Sequence, residues 1–156
     1  MKTKSITSKP DLERQRQQHI GRALLQAQRA FNARALAKLS ARGHDQLGMA
    51  HLTLLPHLET GGTRATMLAA RADMTKQAAG QLLSDLETAG YVTRQLDPSD
   101  GRAMLVQFTA RGEQFLADAQ KIKLEIETEY AAALGHTELA ALRQALETLI
   151  ALEQPA

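Results

Sequence analysis

Apolar side chains recur at spacings of three and four along most of the chain, the signature of amphipathic helices. Ile20, Leu24, Ala27, Phe31, Ala35 and Leu39 form one narrow stripe, with no proline and only Gly21 to interrupt residues 11–42. This predicts a long first helix capped by Asp11 and stopped by Gly43. Asp45 is placed to cap a second helix carrying Leu47, Ala50, Leu54, Leu55 and Leu58, which Pro56 should kink or shorten. Gly61-Gly62 breaks the pattern. Thr63 then caps a predicted short helix over about 64–71, and Thr75 caps a fourth that ends near Ala89-Gly90.

The period changes after Gly90. Tyr91-Val92-Thr93-Arg94-Gln95-Leu96 and Met104-Leu105-Val106-Gln107-Phe108-Thr109 are β-prone, and Asp97-Pro98-Ser99-Asp100-Gly101 between them is dense in turn formers. Together they predict a hairpin. After Gly112 the helical period returns through Phe115, Ala119, Ile122, Ile126 and Ala133, with Tyr130 beside the stripe. Gly135-His136 breaks it and Thr137 caps a last helix. There Leu139, Leu142, Leu146, Leu149 and Leu152 form a near-heptad seam. A narrow stripe at each end of a chain points to burial against a partner chain rather than within one core.

Composition narrows the class. The 156 residues are 44% hydrophobic but only 3% aromatic, a helix-rich balance unlike that of a β-sandwich. The chain has no Cys, which excludes disulfides, thiolate metal sites, a Cys nucleophile and a thiol switch. No apolar run reaches the roughly 18–20 residues of a membrane span. The start, Met1-Lys2-Thr3-Lys4-Ser5-Ile6-Thr7, lacks the apolar run of a secretory signal, so the expectation is a soluble cytoplasmic protein with no membrane partner. The net charge of +2 conceals a split. Residues 1–44 carry ten basic and two acidic side chains, whereas residues 113–156 carry three basic and eight acidic. Residues 1–10 read as a flexible basic arm.

Residues 64–109 read helix, tight turn, helix, strand, loop, strand. Leu68 and Ala69 pack the first helix, Ala69 being small where the second crosses it, and Met74 plugs the turn. Ala79, Leu82, Leu83 and Leu86 make the buried face of the second helix. Thr75, Lys76, Gln77, Gly80 and Gln81 are left outside, near its N-terminus, where a helix-turn-helix presents side chains to a major groove. Lys76 suits guanine acceptors or a phosphate, and Gln77 and Gln81 suit adenine edges. Gly80 lets backbone come close, and Thr75 can serve a phosphate. Arg102 at the hairpin tip suits a narrow minor groove. Asp100 is expected to pair with Arg94 or Arg102 and so shape the tip. Arg94 is either the structural partner of an acidic residue or a phosphate contact.

Residues 45–112 resemble the DNA-binding domain of the MarR family of bacterial transcription regulators. The resemblance rests on Met74-Thr75-Lys76-Gln77-Ala78, Asp85-Leu86-Glu87, Gly90-Tyr91-Val92, Arg94, Asp97-Pro98-Ser99-Asp100-Gly101-Arg102, Thr109 and Gly112. The ordered Asp-Pro-x-Asp-x-Arg loop is its most specific element. The resemblance implies a mainly α, α+β winged helix-turn-helix fold. In it residues 11–44 and 113–156 form a helical dimerisation region, and residues 45–112 bind double-stranded DNA. It further implies a homodimer on a pseudo-palindromic operator, acting as a ligand-relieved repressor with no cofactor. The opposed charges of the two chain ends then predict ion pairs partly across the dimer, leaving Lys2, Lys4 and Lys9 to attract DNA. A small aromatic or anionic effector is implied between the dimer helices and the DNA-binding region. His51 is its first candidate contact, with His19, Arg22 and Arg29 behind it. Two features depart from the family: Asp73 stands where such turns often carry Gly, and the lack of Cys excludes the thiol-oxidation sensing of one branch.

Catalysis has little support. The five His residues make no metal-ligand spacing, so no metal site is assigned. Ser84-Asp85 lacks a nucleophile elbow, and no Gly-rich phosphate loop is present. The expectation is a protein that is not an enzyme. The rival reading is a winged-helix module for protein–protein contact without its own operator. That reading predicts aromatic or aliphatic anchors on the outer helix face.

Overall fold

The computed structural model describes residues 19–152. The expected cap Asp11 and the basic arm with Lys2, Lys4 and Lys9 lie outside the described residues. The first described helix, α1 (Ile20–Ser40), starts where His19 turns extended and its Nδ1 accepts the Gly21 N–H at 3.1 Å. Of the helix expected over residues 11–42, the described part begins at Ile20, and residues 11–18 lie outside the described residues. Helix α2 (Met49–Leu54) begins later than a cap at Asp45 would place it. The His51 ring reaches back to accept the Gly48 N–H at 2.9 Å, and this sets the start. Pro56 shortens the helix as its ring requires, and Leu55–His57 continues as a single 3-10 turn.

Thr63 is not a helix cap. Thr63–Arg64 forms a strand, β1, and the Thr63 hydroxyl accepts the Glu59 N–H at 3.0 Å. Helix α3 (Ala65–Arg71), helix α4 (Lys76–Thr88), β2 (Val92–Asp97) and β3 (Asp100–Phe108) follow. The sheet is antiparallel in the order β1-β3-β2, with Arg64 opposite Leu105 and Leu96 opposite Met104. Asp73 sits at φ 52 in the turn between α3 and α4, a left-handed conformation that Asp tolerates. Helix α5 (Ala110–Leu134) starts before Gly112, not after it. The Thr109 hydroxyl caps it by accepting the Gly112 N–H at 3.2 Å, while donating to the Gly90 carbonyl at 2.5 Å. Gly112 lies in that first turn because a Cβ there would overlap the Tyr91 carbonyl and the Phe108 ring. Helix α6 (His136–Leu152) follows Gly135 at φ 96, so Thr137 lies within the helix and does not cap it.

One core joins the helical ends to the winged unit. Leu39 of α1, Leu54 and Leu55, Leu68, Leu83 and Leu86, Val92, Val106, Phe115, Ile122 and Ile126 are all buried in it. At its centre a polar junction closes over three segments. His44 Nδ1 lies 3.0 Å from the Tyr91 hydroxyl and Nε2 lies 3.3 Å from Asp118 Oδ2. An ionised carboxylate only accepts, so Nε2 carries the proton toward Asp118, and in the uncharged ring Nδ1 accepts from Tyr91. Phe115 stands edge-on to both rings, and the Arg111 guanidinium lies 4.7 Å above Tyr91. The Asp118 carboxyl is held below the usual range, first by the Gln114 amide and next by His44, against the opposite pull of burial.

The charge split is partly resolved inside one chain. Arg34 meets Glu129 at 2.7 Å, Lys38 bridges Glu129 at 2.9 Å and Glu125 at 3.3 Å, and Arg42 meets Glu125 at 2.5 Å. These pairs join α1 to α5, and Arg143 of α6 pairs with Glu127. This much of the pairing expected across a dimer is intrachain. By contrast the Leu seam is only partly covered by the described residues, with Leu139 and Leu146 half-buried. Helix α6 has no buried residue, and Leu142, Leu149 and Leu152 are 46%, 46% and 74% exposed. Ile20 and Leu24 of α1 are also exposed.

Tyr91→Phe removes the hydroxyl that satisfies His44 Nδ1 and is expected to cost about 1–3 kcal/mol in urea unfolding. Gly112→Ala is expected to cost more, because backbone rather than a flexible side chain stands in the way.

Candidate nucleic-acid interface

The turn between α3 and α4 presents the start of α4 outward. Ala79, Leu83 and Leu86 face the core, and Leu82 packs half-buried beside them. Thr75, Lys76, Gln77 and Gln81 remain exposed on the opposite side. The Thr75 hydroxyl oxygen accepts the Ala78 N–H at 3.1 Å and caps the helix, leaving its own proton to donate. The Gln81 amide donates to Asp85 at 3.0 Å, one turn on. Lys76 and Gln77 make no side-chain hydrogen bond with any described residue, so a row of polar groups stands at the positive end of the helix.

Two ion clusters fix the hairpin beside this face. Arg94 Nε and Nη2 donate to Glu87 Oε2 at 2.9 and 2.6 Å, and Nη2 also donates to the Ser84 hydroxyl at 3.2 Å. Of the two roles open for Arg94, the structural pair is made, and it ties β2 to α4. Arg94 holds the Glu87 carboxyl below its usual range. Asp100 pairs with neither Arg94 nor the Arg102 guanidinium. Its carboxylate accepts the Arg102 backbone N–H at 3.2 Å and lies 3.9 Å from Arg64. Arg64 of β1 is the clasp that sequence reading missed. It donates to Asp97 Oδ2 at 2.7 Å, while Asp97 Oδ1 accepts both the Ser99 N–H and its hydroxyl. A two-residue strand has no periodicity to betray it, and Arg64 was hidden at the edge of a predicted helix. With the loop held in this way, the exposed Arg102 side chain makes no hydrogen bond or ion pair with any described residue.

A cavity of about 430 Å³ opens between α1, α2 and α5. Phe31, Leu39, Leu52, Leu55, Phe115 and Ile122 give it an apolar wall, with Asn32, Gln120 and Lys123 as polar groups. None of the four effector candidates lines it. His19 caps α1, Arg22 and Arg29 are exposed, and His51 Nδ1 is occupied by Gly48. His51 Nε2 is buried without a hydrogen-bond partner among the described residues. Lys123 could have been found in the sequence by following the α5 stripe one residue past Ile122. Among the described residues no group of His, Asp or Glu could hold a metal, and no helix is long and apolar enough to cross a membrane.

The sequence profile of the MarR family matches residues 45–103. The transcriptional regulator HosA of Escherichia coli O111:H- is 34% identical over 77 residues, which is 49% of this chain and 57% of that protein. The chain therefore spans little more than half the length of that curated relative. Among solved structures, the transcriptional repressor CouR bound to a 23-mer DNA duplex is 26% identical with a TM-score of 0.71, over 87% of this chain and 95% of that one. Wild-type MarR from E. coli superimposes with a TM-score of 0.71 at 20% identity, over 84% of this chain and 96% of that one, and shows the shared fold.

The Asp97 carboxyl is drawn from an ordinary 3.8 to about 2, first by the Ser99 hydroxyl and N–H and then by Arg64. A carboxyl with a depressed folded value adds stability that is complete above about pH 4 and is lost as pH falls toward 2. Unfolding followed across that window is expected to show a shallower acid loss for Asp97→Asn than for the parent.

Proposed function

From the premise that residues 45–103 belong to the MarR family of transcriptional regulators, we propose that this chain is a sequence-specific repressor. In this reading it holds a pseudo-palindromic operator as a homodimer and is released by a small ligand. The observation that supports it best is the pairing of two exposed polar elements on one packed unit. These are the polar face of α4 with Thr75, Lys76, Gln77 and Gln81, and the Arg102 tip held out by the Arg64–Asp97 clasp. The outer face of α4 carries no aromatic or large aliphatic anchor, which counts against a protein-contact module.

Residues 45–112 would bind DNA, with two copies of α4 in successive major grooves about one helical turn apart and each Arg102 in a flanking minor groove. The dimerisation region would be residues 11–44 and 113–156, its contact made by the uncovered leucines of α6 and the exposed apolar residues of α1. A small aromatic or anionic effector suits the cavity, its ring against Phe31, Leu55 and Phe115 and its charge toward Lys123. Helix α2 lines that cavity and also packs on α4, so an effector that favours one placement of α2 shifts the spacing of the two recognition helices. Such a protein would work in the cytoplasm.

Arg102→Ala is expected to weaken binding to duplex DNA roughly tenfold and to reduce the slope of log affinity against log salt by about one. Absence of binding to any duplex by the parent at low salt would overturn the regulator reading. Leu142→Glu combined with Leu149→Glu is expected to give a monomer by sedimentation and to abolish operator binding. A variant that stays dimeric would remove α6 from the interface.

A further inference from the structure

Gly80 sits in the interior of α4, where glycine is among the worst helix formers. Such a residue usually marks a place where a neighbouring segment comes too close for a side chain. No segment does so here: a Cβ on Gly80 would meet nothing within 4 Å. Gly80 is partly exposed, and the space beside it is open rather than filled by another segment. The open space belongs to a recess of about 170 Å³ between α3, α4 and the wing, lined by Ala65, Thr66, Lys76, Gly80, Leu83, Arg94 and Met104. Its polar side chains are two cations and a hydroxyl. Glu87 balances much of the Arg94 charge, but Arg94 Nη1 has no partner among the described residues, and Lys76 is exposed. Met104 adds an exposed apolar edge from β3.

We propose that this recess seats a backbone phosphate of the bound duplex, with Gly80 keeping the seat open. The proposal rests on the DNA-binding reading above. A recognition helix in the major groove and a wing in the neighbouring minor groove leave one sugar-phosphate strand to cross between them, and the recess lies between those two elements. Lys76 supplies the charge, Arg94 Nη1 and the Thr66 hydroxyl supply hydrogen bonds, and Met104 lies against the adjoining deoxyribose. Seating a phosphate locks the register of α4 in its groove without reading any base.

The test is a substitution whose two effects have opposite signs. Gly80→Ala should raise the thermal midpoint by a few degrees, because the new methyl group meets no atom of the protein and improves the helix. The same methyl should narrow the seat and lower affinity about tenfold, for random-sequence duplex and for fragments selected from genomic DNA alike. Lys76→Gln should weaken both kinds of DNA together and flatten the salt slope by about one. If the parent binds no duplex, the DNA-binding reading itself fails. If the parent binds and Gly80→Ala binds equally well, the seat is refuted while that reading stands. A loss confined to selected fragments would place a base edge over Gly80 and would also refute the phosphate seat.

Discussion

His44, Tyr91 and Asp118 come from three separate stretches of chain and meet where almost no water reaches. Each carries polar atoms that would be costly to bury alone, and each satisfies another. His44 follows the end of α1, Tyr91 follows the end of α4 and Asp118 lies on α5. The triad therefore fixes α1 and α5 to the unit of α3, α4 and the hairpin at the point where α4 ends. An apolar contact there would tolerate small slides. Two directed hydrogen bonds on one ring do not, because rotating the ring to follow one partner loses the other. Gly112 lets α5 approach Tyr91 closely enough to complete the joint, and Gly90, at φ 78, makes the turn whose carbonyl accepts the Thr109 hydroxyl.

Around that joint, polar contacts are graded by what they have to hold. The Arg34, Lys38 and Arg42 ladder to Glu125 and Glu129 is exposed and screened by salt, so it aligns α1 with α5 at little gain in stability. The Glu129 carboxyl is lowered and the Lys38 ammonium raised by their mutual contact, which marks their pairing without making it strong. In the Arg64–Asp97–Ser99 clasp the shared carboxylate is buried, whereas the Arg94–Glu87–Ser84 clasp is about as exposed as the ladder but gathers two hydrogen bonds on one carboxylate oxygen. They hold the hairpin at a set distance from α4. The leucines left bare on α6 are the counterpart, a surface that the described residues do not bury.

Much of this was legible in the sequence because it is periodic. The buried face of α4 follows from the spacing of Ala79, Leu83 and Leu86, and the hairpin follows from β-prone runs around a Pro-Ser-Asp-Gly turn. What escaped is non-periodic or depends on distant partners. Strand β1 is two residues long and takes its order from β3. Arg64, Glu87 and His44 gain their roles only when the chain closes, so no local pattern distinguishes them from ordinary polar residues. Charge and helix membership point to His51, His19, Arg22 and Arg29, whereas the cavity wall is built from the apolar faces of three helices. The opposed charges of the two chain ends point to pairing between them, and the α1–α5 share of that pairing lies within one chain.

Hydroxyl-radical footprinting on a genomic fragment enriched by the purified protein tests the central claim most directly. A winged helix-turn-helix dimer predicts protections related by two-fold symmetry, with their centres about 10–10.5 base pairs apart or at a multiple of that spacing. Those protections should extend into the flanking minor grooves and lose the extensions when Arg102 is replaced by Ala. A single asymmetric patch, or protection unchanged by Arg102→Ala, would contradict it.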